Sequence, residues 1–399
     1  MLVVSLHRTS RGLGLGPARV LLTLLALTVF CAAGAHAQTL HCTVMAVTPE
    51  APLLLDPPAA AAGARGVEAV WTSEPMVFAP GAGFVEALLS WNVDVPPNAG
   101  VRFEIRTSSS ELGEWTDWMF LGDWGDVPPD GPIVQSFERT DASGEVRHRV
   151  VVETDVLVAR REQHLLQWRV VAVRGRAIAP ARQAEDLTRP VRVERVAVVT
   201  SRQPDAHGTE RSGPTPEAFA SAAFLPVPFK SQRTPDPRLS GRLCSPTSVA
   251  MVMGSRGADR TVSDVAWRAY DRRFDIYGNW PRNIQAAFSL GVPGYLTRLS
   301  TFDEAAALLR DGHPLIISIQ VRRGELRGAP YESTGGHLIV LTGLTPDGGA
   351  TVSDPASGTP ETGELIYRQE DLRRVWLERT LGTTYVLLPR PEPDGGSSP

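Results

Sequence analysis

The chain has 399 residues, 42% hydrophobic and 21% charged, and its 36 Gly and 33 Pro together stay below the roughly 25–30% share that marks low-complexity chains. No Gly-X-Y period appears, so collagenous and wholly disordered readings fall away. With 44 acidic against 40 basic residues and a net charge of -4, the chain lacks the Lys/Arg excess needed to displace counterions from phosphates, which excludes nucleic acid as an expected partner.

Residues 1–37 read as a targeting segment and not as fold. Arg8, Arg11 and Arg19 precede an apolar run from Val20 to Ala33, and Ala35-His36-Ala37 then supplies the small residues of a signal-peptidase site. A run of about 14 residues is short of the roughly 20 a spanning helix needs, so a cleaved signal is favoured over a membrane anchor. Bulky Phe30 before Cys31 speaks against a lipoprotein signal. The expectation is a secreted or periplasmic protein with no membrane span after cleavage. Only Cys42 and Cys244 then remain, too few for a disulfide framework, and no Cys/His cluster has zinc-ligand spacing. No metal or other cofactor is expected.

In chain order, residues 38–65, with Asp56-Pro57-Pro58 and an Ala run, read as a flexible lead. From 66 to 200 short runs rich in Val, Ile, Phe and Trp predict strands over Phe84–Val93, Val101–Arg106, Arg147–Val158, Leu165–Val173 and Val191–Thr200, the pattern of an antiparallel β-sandwich. Residues 201–223 carry Pro204, Gly208, Gly213, Pro214 and Pro216 without periodicity and read as a linker. Between 224 and 390, helices are predicted over Pro246–Met253, Val262–Tyr270, Pro281–Ser289 and Phe302–Arg310, the last with a capping box from Ser300 and Asp303. Strands follow over Leu315–Val321, His337–Leu344, Ala350–Ser353, Leu365–Arg368 and Thr383–Leu388, an α+β order. Residues 391–399 read as a disordered tail.

Cys244 opens Cys244-Ser245-Pro246-Thr247-Ser248, where Pro246 suits the first turn of a helix. A thiol at a helix N-terminus meets the positive end of the dipole and is shifted toward thiolate, although a lone cysteine is more often a small buried hydrophobe. Beyond residue 224 only His313 and His337 are available as base. His313, before Pro314, reads as a turn residue. His337 follows Gly335-Gly336, which are expected to let the strand approach a neighbouring helix end. A return through Pro346-Asp347-Gly348-Gly349 would bring Asp354 beside the imidazole, as acceptor for its second N–H. Gln232, 12 residues before the cysteine, is a candidate oxyanion donor alongside the Cys244 backbone N–H.

The ordered set Gln232, Cys244, His337, Asp354 resembles the papain-like cysteine peptidases, specifically soluble relatives of the bacteriocin leader-processing peptidases, cysteine peptidase family thirty-nine. The resemblance spans residues 224–390 and includes Tyr277-Gly278-Asn279-Trp280-Pro281, Gly312-His313-Pro314-Leu315, Ser353-Asp354-Pro355 and Trp376. It implies that these four residues act as oxyanion-stabilising amide, nucleophile, base and orienting acid. Ser245 departs from the family's usual Gly and is expected to add a side chain beside the oxyanion site. No ATPase motif accompanies the domain, so transporter-coupled cleavage is not implied.

The fold class read here is multidomain, an N-terminal all-β sandwich followed by an α+β papain-like cysteine peptidase domain. The expected activity is hydrolysis of a peptide or protein substrate, cell-wall-associated material included. The alternatives are a cell-wall amidase, isopeptidase or acyl transferase on the same fold, or a catalytically idle adhesin-like binder. Trp280, Tyr331 and the stretch Arg322–Thr334 are expected to line the substrate cleft. Six of nine tryptophans lie in the first domain, and Ser90-Trp91-Asn92 and Trp115-Thr116-Asp117-Trp118 resemble segments of sandwich modules that accompany secreted hydrolases. A glycan-binding or docking role follows for that domain, although most such tryptophans belong to a core. Asp117, Asp123 and Asp126 lack a recognised calcium-ligand spacing.

Overall fold

The computed structural model describes residues 41–57, 67–79, 82–109, 114–127, 133–140, 142–144, 146–174, 189–202 and 224–390. The signal segment, the linker from residue 203 and the tail after 390 lie outside the described residues. In the first region, β1 (His41–Val47), β2 (Leu53–Leu55), β5 (Phe84–Asp94), β8 (Ser136–Thr140), β9 (Val146–Glu153), β10 (Val156–Gln163) and β12 (Val191–Ser201) form a seven-stranded sheet ordered β1-β12-β5-β10-β9-β8, with β2 also on β12. A five-stranded sheet ordered β3-β11-β6-β7 joins β3 (Val67–Thr72), β6 (Ala99–Ser108), β7 (Met119–Gly125) and β11 (Leu165–Arg174), with β4 (Met76–Val77) on β11. One apolar cluster, including Leu89, Trp91, Phe103, Ile105, Trp168 and Val198, draws on both sheets. Trp91 stacks on Phe103 at 4.2 Å, and its ring passes so close to Gly122 that a Cβ there would lie 2.7 Å from it.

Two expectations are corrected. The lead over 38–65 is not free of core: β1 pairs antiparallel with β12 from His41↔Ser201 onward, and Val44 and Val47 are buried. The buried β1 residues His41, Val44 and Val47 fall at every third position, so the strand carries no period-two signal in its sequence. The run Arg147–Val158 is two strands, β9 and β10, turning at Thr154-Asp155.

The second domain carries α1 (Cys244–Ser255), α2 (Val262–Ala269), α3 (Trp280–Ser289) and α4 (Phe302–Arg310). Its six-stranded antiparallel sheet is ordered β13-β18-β14-β15-β16-β17, from β13 (Gly294–Arg298), β14 (Leu315–Val321), β15 (Thr334–Leu344), β16 (Gly349–Ser353), β17 (Glu364–Arg368) and β18 (Thr383–Leu387). Strand alternation splits the core. Ile317, Ile319, Ile339 and Leu341 point to the cluster containing α4 and Trp376, whereas Ile316, Leu338 and Val340 point to the one containing α1. Residues Ser245–Met253 of α1 are all buried, as a helix apolar nearly all round requires. The α4 capping box is formed by Thr301 and Glu304, one residue later than Ser300 and Asp303. No helix among the described residues is long and apolar enough to cross a membrane.

The domains are joined along β5. Its Leu89, Trp91 and Val93 enter the first core, while Leu88 on the opposite face joins the α1 cluster together with Val156 and Val199. Both faces are covered, which explains the near-continuous apolar sequence of this strand. Two of its polar residues serve the junction: Ser90 Oγ accepts the Leu296 N–H at 2.9 Å and Asn92 Oδ1 accepts the Gly294 N–H at 3.1 Å. Gln285 exchanges two bonds of 2.8 Å with the Val93 backbone. The buried Arg298 reaches Glu86 at 2.7 Å and Ser201 Oγ at 2.7 Å.

The docking-module expectation is therefore corrected: Ser90-Trp91-Asn92 belongs to a shared core and a domain junction. Trp115 and Trp118 hold Arg106 at 4.7 and 4.5 Å, Trp71 packs on Trp168, and Trp124 lies 5.2 Å from Arg282 of the second domain. Trp91 and Trp168 are buried, and the other four first-domain tryptophans are half-buried against these partners. Asp123 is taken up by Arg282 at 2.8 Å and Arg273 at 3.7 Å. Because Leu88 lies in a cluster common to both domains, Leu88→Ala should destabilise the whole protein by about 2–5 kcal/mol. Thermal unfolding should show one transition, shifted down; two transitions with only one displaced would contradict a shared core.

Candidate active site

Cys244 is the first residue of α1, half-buried, and its N-cap Leu243 makes no side-chain capping bond, so first-turn N–H groups stay available to negative charge. The next side chain, Ser245, is fully buried and turns its hydroxyl onto the Tyr385 OH at 3.0 Å. The serine side chain thus fills a core position against Tyr385. Helix and sheet are tied by Ser248 Oγ donating to Leu338 O at 3.0 Å, one residue beyond His337.

His337 is buried near the start of β15, opposite Ile319 of β14. The preceding Gly335 and Gly336 are exposed, and a Cβ at either would meet nothing within 4 Å. They leave the cleft open and do not accommodate a close helix approach, which corrects their expected purpose. The β15–β16 pairing, Val340↔Ser353, delivers Asp354 to the imidazole: His337 Nε2 lies 2.8 Å from Asp354 Oδ1. The other ring nitrogen is left for the Cys244 side, and the two residues lie close enough for each to shift the proton affinity of the other. Asp354 is fully buried and accepts three further bonds: Ala356 N–H to Oδ1 at 3.0 Å, and the Tyr331 and Tyr367 hydroxyls to Oδ2 at 3.0 Å each.

Charge separation follows from these contacts. Burial by itself would raise the Cys244 thiol, but the hydrogen bond from His337 and its positive charge hold it below its ordinary value. Burial would likewise lower His337, yet its bonds to Asp354 and Cys244 push it up to about 10. Asp354, which burial would raise, is held below the usual carboxylate range by His337, the Ala356 N–H and Tyr331. Burial and the adjacent Asp354 charge push both tyrosines up, so they remain protonated donors. All three shifts favour the charged form: thiolate at Cys244, imidazolium at His337 and carboxylate at Asp354.

A cleft of about 830 Å³ opens over Cys244 and His337, with Trp280, Gly335 and Thr380 among its walls. Tyr331 and the Arg322–Thr334 stretch, expected to line it, do not. Tyr331 sits behind the histidine, its ring edge-on to His337 at 5.0 Å. Its hydroxyl finds a better partner in the buried carboxylate than in solvent. Trp280 lines the cleft, and its backbone N–H donates to Asp155 Oδ2 of the first domain at 2.7 Å. Gln232 is anchored by its N–H to Pro355 O at 2.9 Å, and its buried Oε1 has no partner among the described residues. His313 faces away, with Nδ1 on Arg256 at 2.9 Å. Sequence reasoning missed Tyr367, whose strand position carries no signal, and Asp155, whose Thr-Asp turn was visible but was read through as strand.

This second domain is a peptidase domain: residues 224–382 match the Peptidase_C39 like family, and residues 33–201 match the family described as Peptidase C39 N-terminal domain. The two matches describe an N-terminal β region followed by a C39-like peptidase region. The second match suggests cysteine peptidase activity. Among solved structures, a double-glycine-motif protease from an AMS/PCAT transporter in complex with its leader peptide is 20% identical, over 42% of this chain and 94% of that one, with a TM-score of 0.29. The peptidase domain of Streptococcus ComA, a bifunctional ABC transporter of a quorum-sensing pathway, is 14% identical, over 42% of this chain and 99% of that one, also with a TM-score of 0.29. None of the curated proteins compared matches the chain.

Iodoacetamide labelling of Cys244 should outpace that of Cys42 and keep its plateau as pH falls below the ordinary thiol value. Glutathione labelling falls about tenfold per pH unit there. His337→Ala should return Cys244 to the glutathione slope; a wild-type slope equal to that of glutathione would refute the ion pair. Asp354 stabilises the fold above the unfolded carboxyl value and loses that contribution as pH falls through its lower folded value. Tyr367→Phe, by removing a donor from the buried carboxylate, should cost about 1.5–3 kcal/mol at neutral pH and shift acid unfolding upward, as read by circular dichroism.

Proposed function

We propose that this protein is a peptide-bond hydrolase in which Cys244, His337 and Asp354 form the catalytic triad and Gln232 is an oxyanion donor. The observation that carries this reading is the 2.8 Å bond between His337 and the buried Asp354 carboxylate, with His337 and Cys244 lining one cleft. The Cys244 thiolate attacks the scissile carbonyl carbon, forming a C–S bond as the carbonyl π pair moves onto oxygen. The oxyanion is met by the Cys244 backbone N–H and the Gln232 carboxamide, whose backbone is anchored beside the acid on Pro355. Collapse breaks the C–N bond, and His337 gives its proton to the departing amine. Neutral His337 then takes a proton from water, whose oxygen attacks the thioester. A carboxylic acid leaves and the thiolate returns. Asp354 holds the ring orientation throughout and stays ionised.

In this reading the second domain is papain-like, supported by a cysteine-bearing helix packed against an antiparallel sheet that carries His and Asp. The first is a β-sandwich, supported by two sheets sharing one apolar cluster. Export is proposed from the basic, apolar and small-residue succession of residues 1–37. The His337–Asp354 bond beside Cys244 favours an active hydrolase over an idle binding protein.

Incubation of a randomised peptide library with the full-length protein should yield cleavage that Cys244→Ala abolishes. On a peptide so identified, Gln232→Ala should lower kcat by about 10²–10³ with KM little changed, since an oxyanion donor acts in the transition state. Cleavage surviving in Cys244→Ala would remove the triad reading, and an unchanged kcat would remove Gln232 from it.

A further inference from the structure

The cleft over Cys244 is built by both domains. To the walls of this cleft the first domain contributes Glu86 from β5, Val156 and Val158 from β10, and the β9–β10 turn Glu153-Thr154-Asp155. That turn is tight: Glu153 and Val156 are ladder partners, and Thr154 between them has φ +61°, a region a β-branched residue rarely occupies. The turn is also fastened across the domain boundary. Asp155 Oδ2 accepts the N–H of Trp280, the first residue of α3, and Trp280 itself lines the cleft. The first domain therefore holds a fixed backbone element in the cleft that Cys244 and His337 line.

The charges on the walls are unequal in their partners. The cleft's three arginines, Arg202, Arg298 and Arg379, are each paired with a carboxylate, of Glu162, Glu86 and Glu325 respectively. Glu378 pairs with Arg373. Asp155 is bonded to a backbone N–H. Glu153, exposed at the turn, meets no cationic side chain among the described residues. A peptide entering the cleft thus finds every wall arginine already neutralised and one carboxylate unmatched.

We propose that the β9–β10 turn of the first domain is a substrate-specificity element, in which the Glu153 carboxylate contacts a basic side chain of the bound peptide. This assignment rests on the peptidase reading of Cys244. It gives the N-terminal domain a direct part in substrate choice: the cleft is incomplete without it. Glu153 is a specificity residue and takes no part in bond making.

Selectivity is read without turnover by using the full-length Cys244→Ala protein, a randomised hexapeptide library and sequencing of the retained peptides. Lys and Arg should be enriched over Asp and Glu at one position by about two- to fivefold, the worth of one part-exposed ion pair. The enrichment should vanish in Cys244→Ala/Glu153→Gln and invert toward Asp and Glu in Cys244→Ala/Glu153→Lys, with matching melting temperatures showing that the fold is kept. Equal enrichment with and without the Glu153 carboxylate, or no charge preference in the parent, would overturn the proposal. The same library exposed to protein with Cys244 intact tests the underlying reading separately. Absence of Cys244-dependent cleavage would overturn the peptidase reading while leaving the binding preference as measured.

Discussion

A carboxylate with no exposed surface must be surrounded by donors, and the site is organised around meeting that demand at Asp354. Its four bonds come from a β15 histidine, the chain just beyond Asp354 itself, and tyrosines on a loop and on β17. Any one of these alone would leave a costly buried charge, whereas together they make ionisation the favourable state. The retained negative charge favours a protonated His337, and a protonated His337 in turn favours the thiolate form of Cys244 that burial would otherwise disfavour. Cys244, His337 and Asp354 are thus one electrostatically coupled set spread over α1, β15 and the end of β16.

The same economy of partners shapes the junction between the domains. Ser90 and Asn92 interrupt the apolar middle of β5, and each accepts a backbone N–H from β13. Gln285 does the converse, satisfying both the N–H and the C=O of Val93 from helix α3. Polar groups buried in this way contribute little net attraction but penalise any other docking geometry, because misplacement leaves them unpaired. The outcome is a junction whose alignment is set by hydrogen bonds and whose adhesion comes from Leu88, Val156 and Val199 against the α1 cluster. That alignment matters chemically, since residues of the first domain line the cleft together with Cys244.

Two domains joined this way are better regarded as one catalytic body than as an enzyme with an attached module. The matches of both regions to peptidase C39 families, one to the peptidase domain and one to its N-terminal partner, agree with the physical coupling seen along β5. The exposed Gly335 and Gly336 and the β9–β10 turn face one cleft from opposite domains. Substrate length and side-chain preference are then properties of the pair.

Much of this was legible in the amino-acid order because it depends on local chemistry. Helical spacing after Pro246 and alternating apolar residues located α1, α4, β14 and β16 nearly to the residue. The scarcity of cysteine and histidine beyond residue 224 narrowed the chemistry to Cys244, His313 and His337. What escaped was set by contacts distant in sequence. β13 carries Gly294, Thr297 and Arg298, poor strand formers by pattern, and is a strand because β18 and the first domain supply its partners. Tyr331 reads as a cleft residue until Asp354 is brought within 3.0 Å of its hydroxyl. Ser90, Asn92 and Gln285 look like exposed polar positions until the two domains close on them. Periodicity reports which face of an element is buried, and residue type reports what chemistry is available. Only the folded chain decides which polar group meets which, because that pairing is selected by the cost of leaving any of them buried and alone.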